Sequence, residues 1–245
     1  MHIMDEINVQ AEVFHNVPHV QQQHEWDCGI ASVAMTVSNQ IAKGNLETVV
    51  TKLKNEPNEG FGQRPWTIDL CHILSLLNVS YKYFTASGAD VNPNLYKLQY
   101  YTKSFKQDES RVRALLSNSK LQADIWEGSL NSLEFVQCLK RGPLIVLVDA
   151  NKLECKRHQS LRWRPKFCWN WNTSFLGHYI VIIGHSPKTN VIYYRNPSVT
   201  NRICETSLQI LNEARLAIGT DEDIILVEGQ TYEISTSSMI LATLS

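Results

Sequence analysis

The sequence predicts an α+β fold on three observations. Apolar residues recur at helical spacing through most of the first half. After Gly142-Pro143 the texture changes to short apolar runs of strand length, each bounded by Gly, Pro, Asn or Asp. No repeat, low-complexity tract or Pro/Gly-rich linker separates the two textures, so one domain should hold both. The expected architecture is a helical N-terminal half packed on a C-terminal antiparallel sheet.

The first helix is read from Ile30, Val33, Ala34, Val37 and Ile41, with Asp27 placed to cap it and Cys28 at its N-terminus. Further helices are expected at about 45–54, 67–77, 109–118 and 131–140. The second of these has Thr67 as cap, Ile68 and Leu70 buried, and Trp66 in the core rather than on a cleft wall. The last opens with Asn131 and Glu134 spaced as a capping box. Four strands follow: LIVLVDA (144–150), HYIVIIG (178–184), VIYYR (191–195) and IILVE (224–228). Between the last two, Thr206 and Gln209 form a second capping-box spacing, and Gly219 is a suitable helix C-cap. Residues 1–16 read as an N-terminal extension, 17–228 as the domain, and 229–245, rich in Thr and Ser, as a tail without assignment.

Composition bounds the function. The chain has 245 residues, 43% hydrophobic and 19% charged, enough for a substantial core. Its net charge of −1 provides no whole-molecule field for nucleic acid or an anionic membrane, so neither is an expected partner. The start MHIMDEINVQAEVF lacks a cationic segment followed by an apolar run, and about 18 consecutive apolar residues occur nowhere. Cys28, Cys71, Cys138, Cys155, Cys168 and Cys204 are dispersed, which suits free thiols in a reducing compartment. The expectation is a chain of the cytoplasm, or of cytoplasm and nucleus, neither secreted nor membrane-spanning. Oligomeric state is not legible.

Cys28 is the candidate nucleophile. A thiol attacks as thiolate, and a helix N-terminus favours the anion through its dipole and unpaired N–H groups. A cysteine taken alone is more often a small buried hydrophobe. Gln22, six positions upstream, is far enough away to fold back and aim its amide where an oxyanion would form beside the Cys28 N–H. A glutamine in the polar run QQQH is ordinarily just solvated. Eight histidines compete to be the base, and geometry selects among them. If 178–184 and 191–195 form a hairpin turning through Ser186-Pro187-Lys188-Thr189, with Gly184 opposite Asn190, the same register sets His178 opposite Asn196 and leaves His185 to the turn. Opposed residues share a face, so the Asn196 amide would hold the His178 ring. A slip of one residue would put them on opposite faces.

The segments VPHVQQQHEWDCGIAS (17–32), WTIDL (66–70), GHYIVIIG (177–184), YYRNP (193–197) and GTDEDIILV (219–227) closely resemble the guanylyl-cyclase-domain-containing proteins of plants and animals. That family in turn is similar to the cysteine peptidases that remove leader peptides from bacteriocins. The resemblance implies a papain-like fold and, position by position, oxyanion support at Gln22, nucleophile at Cys28, base at His178 and orienting group at Asn196. The orienting residue is Asn here, where the leader peptidases commonly have Asp.

Three functions follow as expectations. The first is a papain-like thiol hydrolase acting on a peptide or protein substrate, with no cofactor and no metal. The second, implied by the family's name, is a guanylyl cyclase making cyclic GMP from GTP. It would need carboxylates holding metal ions on the triphosphate. Asp221 and Asp223 are the best pair, alternating onto one face if they enter the final strand, although acidic residues after Gly219 are also what a solvated turn contains, and no Gly-rich phosphate loop precedes a helix. The third is a silent scaffold that recruits a partner through 151–176, where Lys152, Lys156, Arg157, Arg162, Arg164 and Lys166 interleave with Trp163, Phe167, Trp169, Trp171 and Phe175. The blander and favoured reading of that segment is an insertion whose aromatics pack over the sheet beside the site while its charges stay wet. Cys155, His158 and Cys168 in that segment fall one ligand short of a structural zinc site.

Overall fold

The computed structural model describes residues 12–38, 43–55, 65–98, 105–118, 121, 123–155 and 175–228. The basic and aromatic residues of 156–174, with His158 and Cys168, lie outside the described residues, as does the tail from 229.

Helices α1 (Cys28–Val37), α2 (Lys43–Asn55), α3 (Thr67–Leu76), α4 (Phe105–Leu116), α5 (Ser132–Arg141) and α6 (Leu208–Arg215) surround one sheet. Its strands are β1 (Val13–Phe14), β2 (Tyr81–Thr85), β3 (Asp124–Glu127), β4 (Leu144–Asp149), β5 (Gly177–Ser186), β6 (Val191–Arg195), β7 (Cys204–Ser207) and β8 (Ile224–Val227). They lie in the order β3-β2-β8-β4-β5-β6-β7, with β1 on β5. The fold is α+β, as expected. The sheet is mixed, since β2 and β3 pair in parallel and the other pairs among the described strands are antiparallel.

Alternation along the strands divides the core. Tyr179, Val181 and Ile183 of β5 pack with α1 and α3 through Val33, Met35, Ile68 and Ile73. Ile180 and Ile182 pack on the other face with Phe135 and Leu139 of α5 and Leu211 of α6. The sheet centre is thus buried on both faces, which is why β4 and β8 read as unbroken apolar runs rather than alternating ones.

Several local expectations are corrected. Asp27 precedes α1 without a side-chain cap; its carboxylate instead accepts from the Gln23 N–H (3.2 Å) and the His24 N–H (3.0 Å), holding the preceding loop. At α3 the cap is Trp66, whose N–H donates to Asp69 at 2.6 Å, while Thr67 is the first helical residue. Trp66 is half-buried against the α1–α3 side of the core. Thr206 lies in β7, so Ser207 caps α6, accepting from the Ile210 N–H at 3.2 Å. That helix ends at Arg215, and Gly219 occupies a later turn with φ 109°. The capping box at Asn131 and Glu134 is formed as read.

The β5–β6 hairpin departs from the expected register in an informative way. Its turn spans 187–190, because Ser186 pairs with Val191, so His185 belongs to the strand opposite Ile192. Gly184 faces Tyr193 rather than Asn190, and beyond it Ile182 faces Tyr194 and Val181 faces Arg195. Ile183 is therefore the extra residue of a β-bulge. Without the bulge, the turn register continued would set Asn196 opposite Val181, on the wrong face for His178. With it, the ladder ends at Val181 opposite Arg195, and Asn196, the next residue, reaches the His178 ring from beyond the strand end.

Candidate active site

Strand β6 ends at Arg195, opposite Val181, so β5 has no partner from it over 177–180. The backbone there is oriented by β4. Leu147 donates its N–H to Asp223 on its other side, and in an antiparallel ladder its partner Tyr179 must likewise turn its N–H away from β4. That N–H reaches the Cys28 thiol at the start of α1. The nucleophile candidate thus sits against the residue that follows His178.

The His178 ring is held by Asn196, Nε2 to Oδ1 at 2.9 Å. The same Oδ1 accepts the Ser198 N–H at 2.9 Å, closing an Asx turn over Pro197. A backbone N–H can only donate, so the atom facing it is the amide oxygen, and Nε2 of His178 must carry the proton. Nδ1 is then the nitrogen with the lone pair, as a general base requires.

Gln22 joins the same cluster. Its Oε1 accepts the Ser198 hydroxyl at 2.5 Å, its Nε2 donates to the His24 carbonyl at 2.7 Å, and its own N–H donates to Pro197 O at 2.9 Å. His19 Nε2 meets the Asn196 carbonyl at 3.1 Å. His178, Asn196, Ser198 and Gln22 are therefore linked by an unbroken series of hydrogen bonds, while Cys28 meets the N–H of Tyr179, the next residue after His178. Ser198 and Tyr179 were not read from the sequence. The Asn-Pro-Ser run held the signal for the first, since Asn commonly accepts from the N–H two residues on.

Cys28 is 7% exposed, His178 3% and Asn196 4%, so the cluster is closed to bulk water. Burial pushes the Cys28 thiol up to about 11, against the N–H groups of Tyr179, Gly29 and Cys28 itself, with the Asp27 charge adding to the rise. Burial pushes His178 down to about 4, against its hydrogen bond to Asn196. At neutral pH the resting pair is a thiol and a neutral imidazole.

The carboxylates weighed for a cyclase sit elsewhere and are differently used. Asp221 and Asp223 precede β8 instead of entering it, and Asp221 has φ 49° in a turn where Asn92 donates to its carboxylate at 2.8 Å. Asp223 is 7% exposed rather than solvated, and it accepts from the Thr67 hydroxyl and, at 2.9 Å, from the Tyr83 hydroxyl. Burial raises it to about 7. Both of its oxygens are thus taken by hydroxyl donors inside the core, which does not fit a carboxylate holding a divalent metal on a triphosphate. Among the described residues no group of three His, Cys, Asp or Glu stands in metal-holding geometry.

The profile of the guanylylate cyclase family matches residues 17–227. The chain belongs to that family. A relative from Arabidopsis thaliana named guanylyl cyclase 1 is 29% identical over 221 residues, which span 86% of this chain and 75% of the relative. Among solved structures, a C39-like peptidase from Bacillus anthracis aligns over 91% of this chain and 99% of its own with a TM-score of 0.43 and 15% identity. Among the described residues no helix of the family member is long and apolar enough to cross a membrane.

Proposed function

We propose that this family member is a papain-like thiol hydrolase of the cytosol or nucleus acting on an amide or ester bond of a peptide or protein. The observation that carries the reading is the fixed tautomer of His178, with its protonated Nε2 on Asn196 and its lone pair on Nδ1, one residue before the Tyr179 N–H that meets the helix-terminal Cys28. In the reaction Nδ1 takes the thiol proton as Cys28 Sγ bonds to the substrate carbonyl carbon. The oxyanion receives the Cys28 N–H and the second Nε2 hydrogen of Gln22, the first being held by the His24 carbonyl. His178 then returns the proton to the leaving group, and water, deprotonated by the same ring, releases the acyl group.

Exposure makes the test sharp, because Cys138 and Cys155 are more open to solvent than Cys28. A small haloacetamide at neutral pH should label Cys28 first. Labelling in order of exposure would end the hydrolase reading. Cyclase activity is the second reading, favoured by family membership; purified protein given GTP with magnesium or manganese and yielding no cyclic GMP would remove it.

A further inference from the structure

Tyr179 touches the candidate nucleophile with its backbone and, through Thr67, is tied to a buried carboxyl by its hydroxyl. Its N–H lies on the Cys28 thiol. Its ring passes over Gly29, where an added Cβ would lie 3.1 Å from Cδ2, so the missing side chain there makes room for it. Its hydroxyl meets Thr67 Oγ1 at 2.8 Å, and Thr67 Oγ1 in turn meets Asp223 Oδ2. The single proton of the threonine faces the carboxylate, so Tyr179 is the donor to Thr67. Tyr83 covers the other carboxylate oxygen. The start of α1, the start of α3, β5 and the turn into β8 are joined through four residues, all buried.

Resting on the hydrolase reading, we propose that Thr67 and Asp223 are positioning residues: by anchoring the Tyr179 hydroxyl they set where the Tyr179 N–H meets the Cys28 thiol. Strand β5 lacks its β6 neighbour at this point, so its backbone is braced on one edge only, by β4. A side-chain anchor at Tyr179 supplies what the missing strand would. The N–H is one of the groups that favour the thiolate, and its effect depends on distance and angle.

The test compares Thr67→Val, which keeps the shape and loses the hydroxyl, with Thr67→Ser, which keeps the hydroxyl. The readout is the rate of Cys28 alkylation in the folded full-length protein, with thermal unfolding followed in parallel. Thr67→Val should slow the labelling on the order of tenfold and Thr67→Ser should restore it. Tyr179→Phe should slow it equally, and the double variant should be no slower than either single one, because both remove one link. If Thr67→Val does not fold, Tyr179→Phe decides by the same criterion. Wild-type rates in both hydroxyl-less variants, or a Thr67→Ser rate as low as that of Thr67→Val, would overturn the proposal. Failure of the hydrolase reading looks different, since Cys28 would then lack preferential labelling in the wild type.

Discussion

Asn196 decides which nitrogen of His178 carries the proton, and it can do so only because Ser198 decides which end of Asn196 faces the ring. The consequence is measurable at Cys28. With the thiol raised to about 11, its thiolate is scarce at neutral pH unless His178 takes the proton during attack. His178→Gln should therefore lower the alkylation rate of Cys28 at pH near 7 by about a hundredfold. The variant rate should climb with pH until it meets the wild-type rate at about 11, where the thiol ionises unaided. A variant that keeps the wild-type pH profile would remove His178 as base. The meeting of His178, Asn196 and Gln22 was legible because residue type, chain order and a turn signal all pointed to it. Tyr179 and Thr67 were not, since one acts through its backbone and the other through a hydroxyl bridge, and neither leaves a periodic trace. Asp223 was misread as part of a solvated turn because its partners, Thr67 and Tyr83, lie 156 and 140 residues away in sequence.

At the scale of elements, the Ile183 bulge shifts the β5–β6 register by one residue ahead of Asn196, and Gly184 beside it lets β1 approach β5 closely. A Cβ at Gly184 would lie 2.6 Å from the Val13 carbonyl oxygen and 3.0 Å from the Phe14 ring, a clash with backbone that no rotamer relieves. Gly184→Ala should push β1 off β5, with loss of the 2.6 Å bond from the His15 N–H to Ile183 O, and cost about 1–3 kcal/mol in urea unfolding. Unchanged stability would mean that β1 is not held there. Helices and central strands were readable because their apolar faces repeat over ten or so residues or run unbroken. Strands β1, β2, β3 and β7 were missed: β1 is only two residues long, and the others, four or five residues long, carry polar or exposed positions. The bulge was illegible because nothing local marks a one-residue slip. The expected hairpin paired His178 with Asn196; the observed ladder ends before them at Val181 and Arg195, and their side chains meet by a hydrogen bond instead.

Across the whole molecule, the buried site groups pull stability in opposite directions with pH. Folded His178 stays neutral down to about 4, whereas an unfolded histidine takes a proton near 6.5. Between those values the unfolded chain binds more protons, so stability falls as pH drops through the window, by about 3 kcal/mol in all. Asp223 acts inversely. Its folded carboxyl holds its proton up to about 7, while the unfolded one releases it near 3.8. There the folded chain binds more protons, and stability falls as pH rises, by about 4 kcal/mol. His15 and His185, lowered by burial, add to the first slope, and Asp69 and Asp221, raised by burial, add to the second. The wild type should accordingly be nearly level between about pH 4.5 and 6.5. His178→Gln should uncover a stability that declines as pH rises, and Asp223→Asn one that increases, when urea midpoints are followed across that range. Two variants whose profiles run parallel to the wild type would show that these groups do not titrate on unfolding, and with that the closed, desolvated site would lose its physical basis.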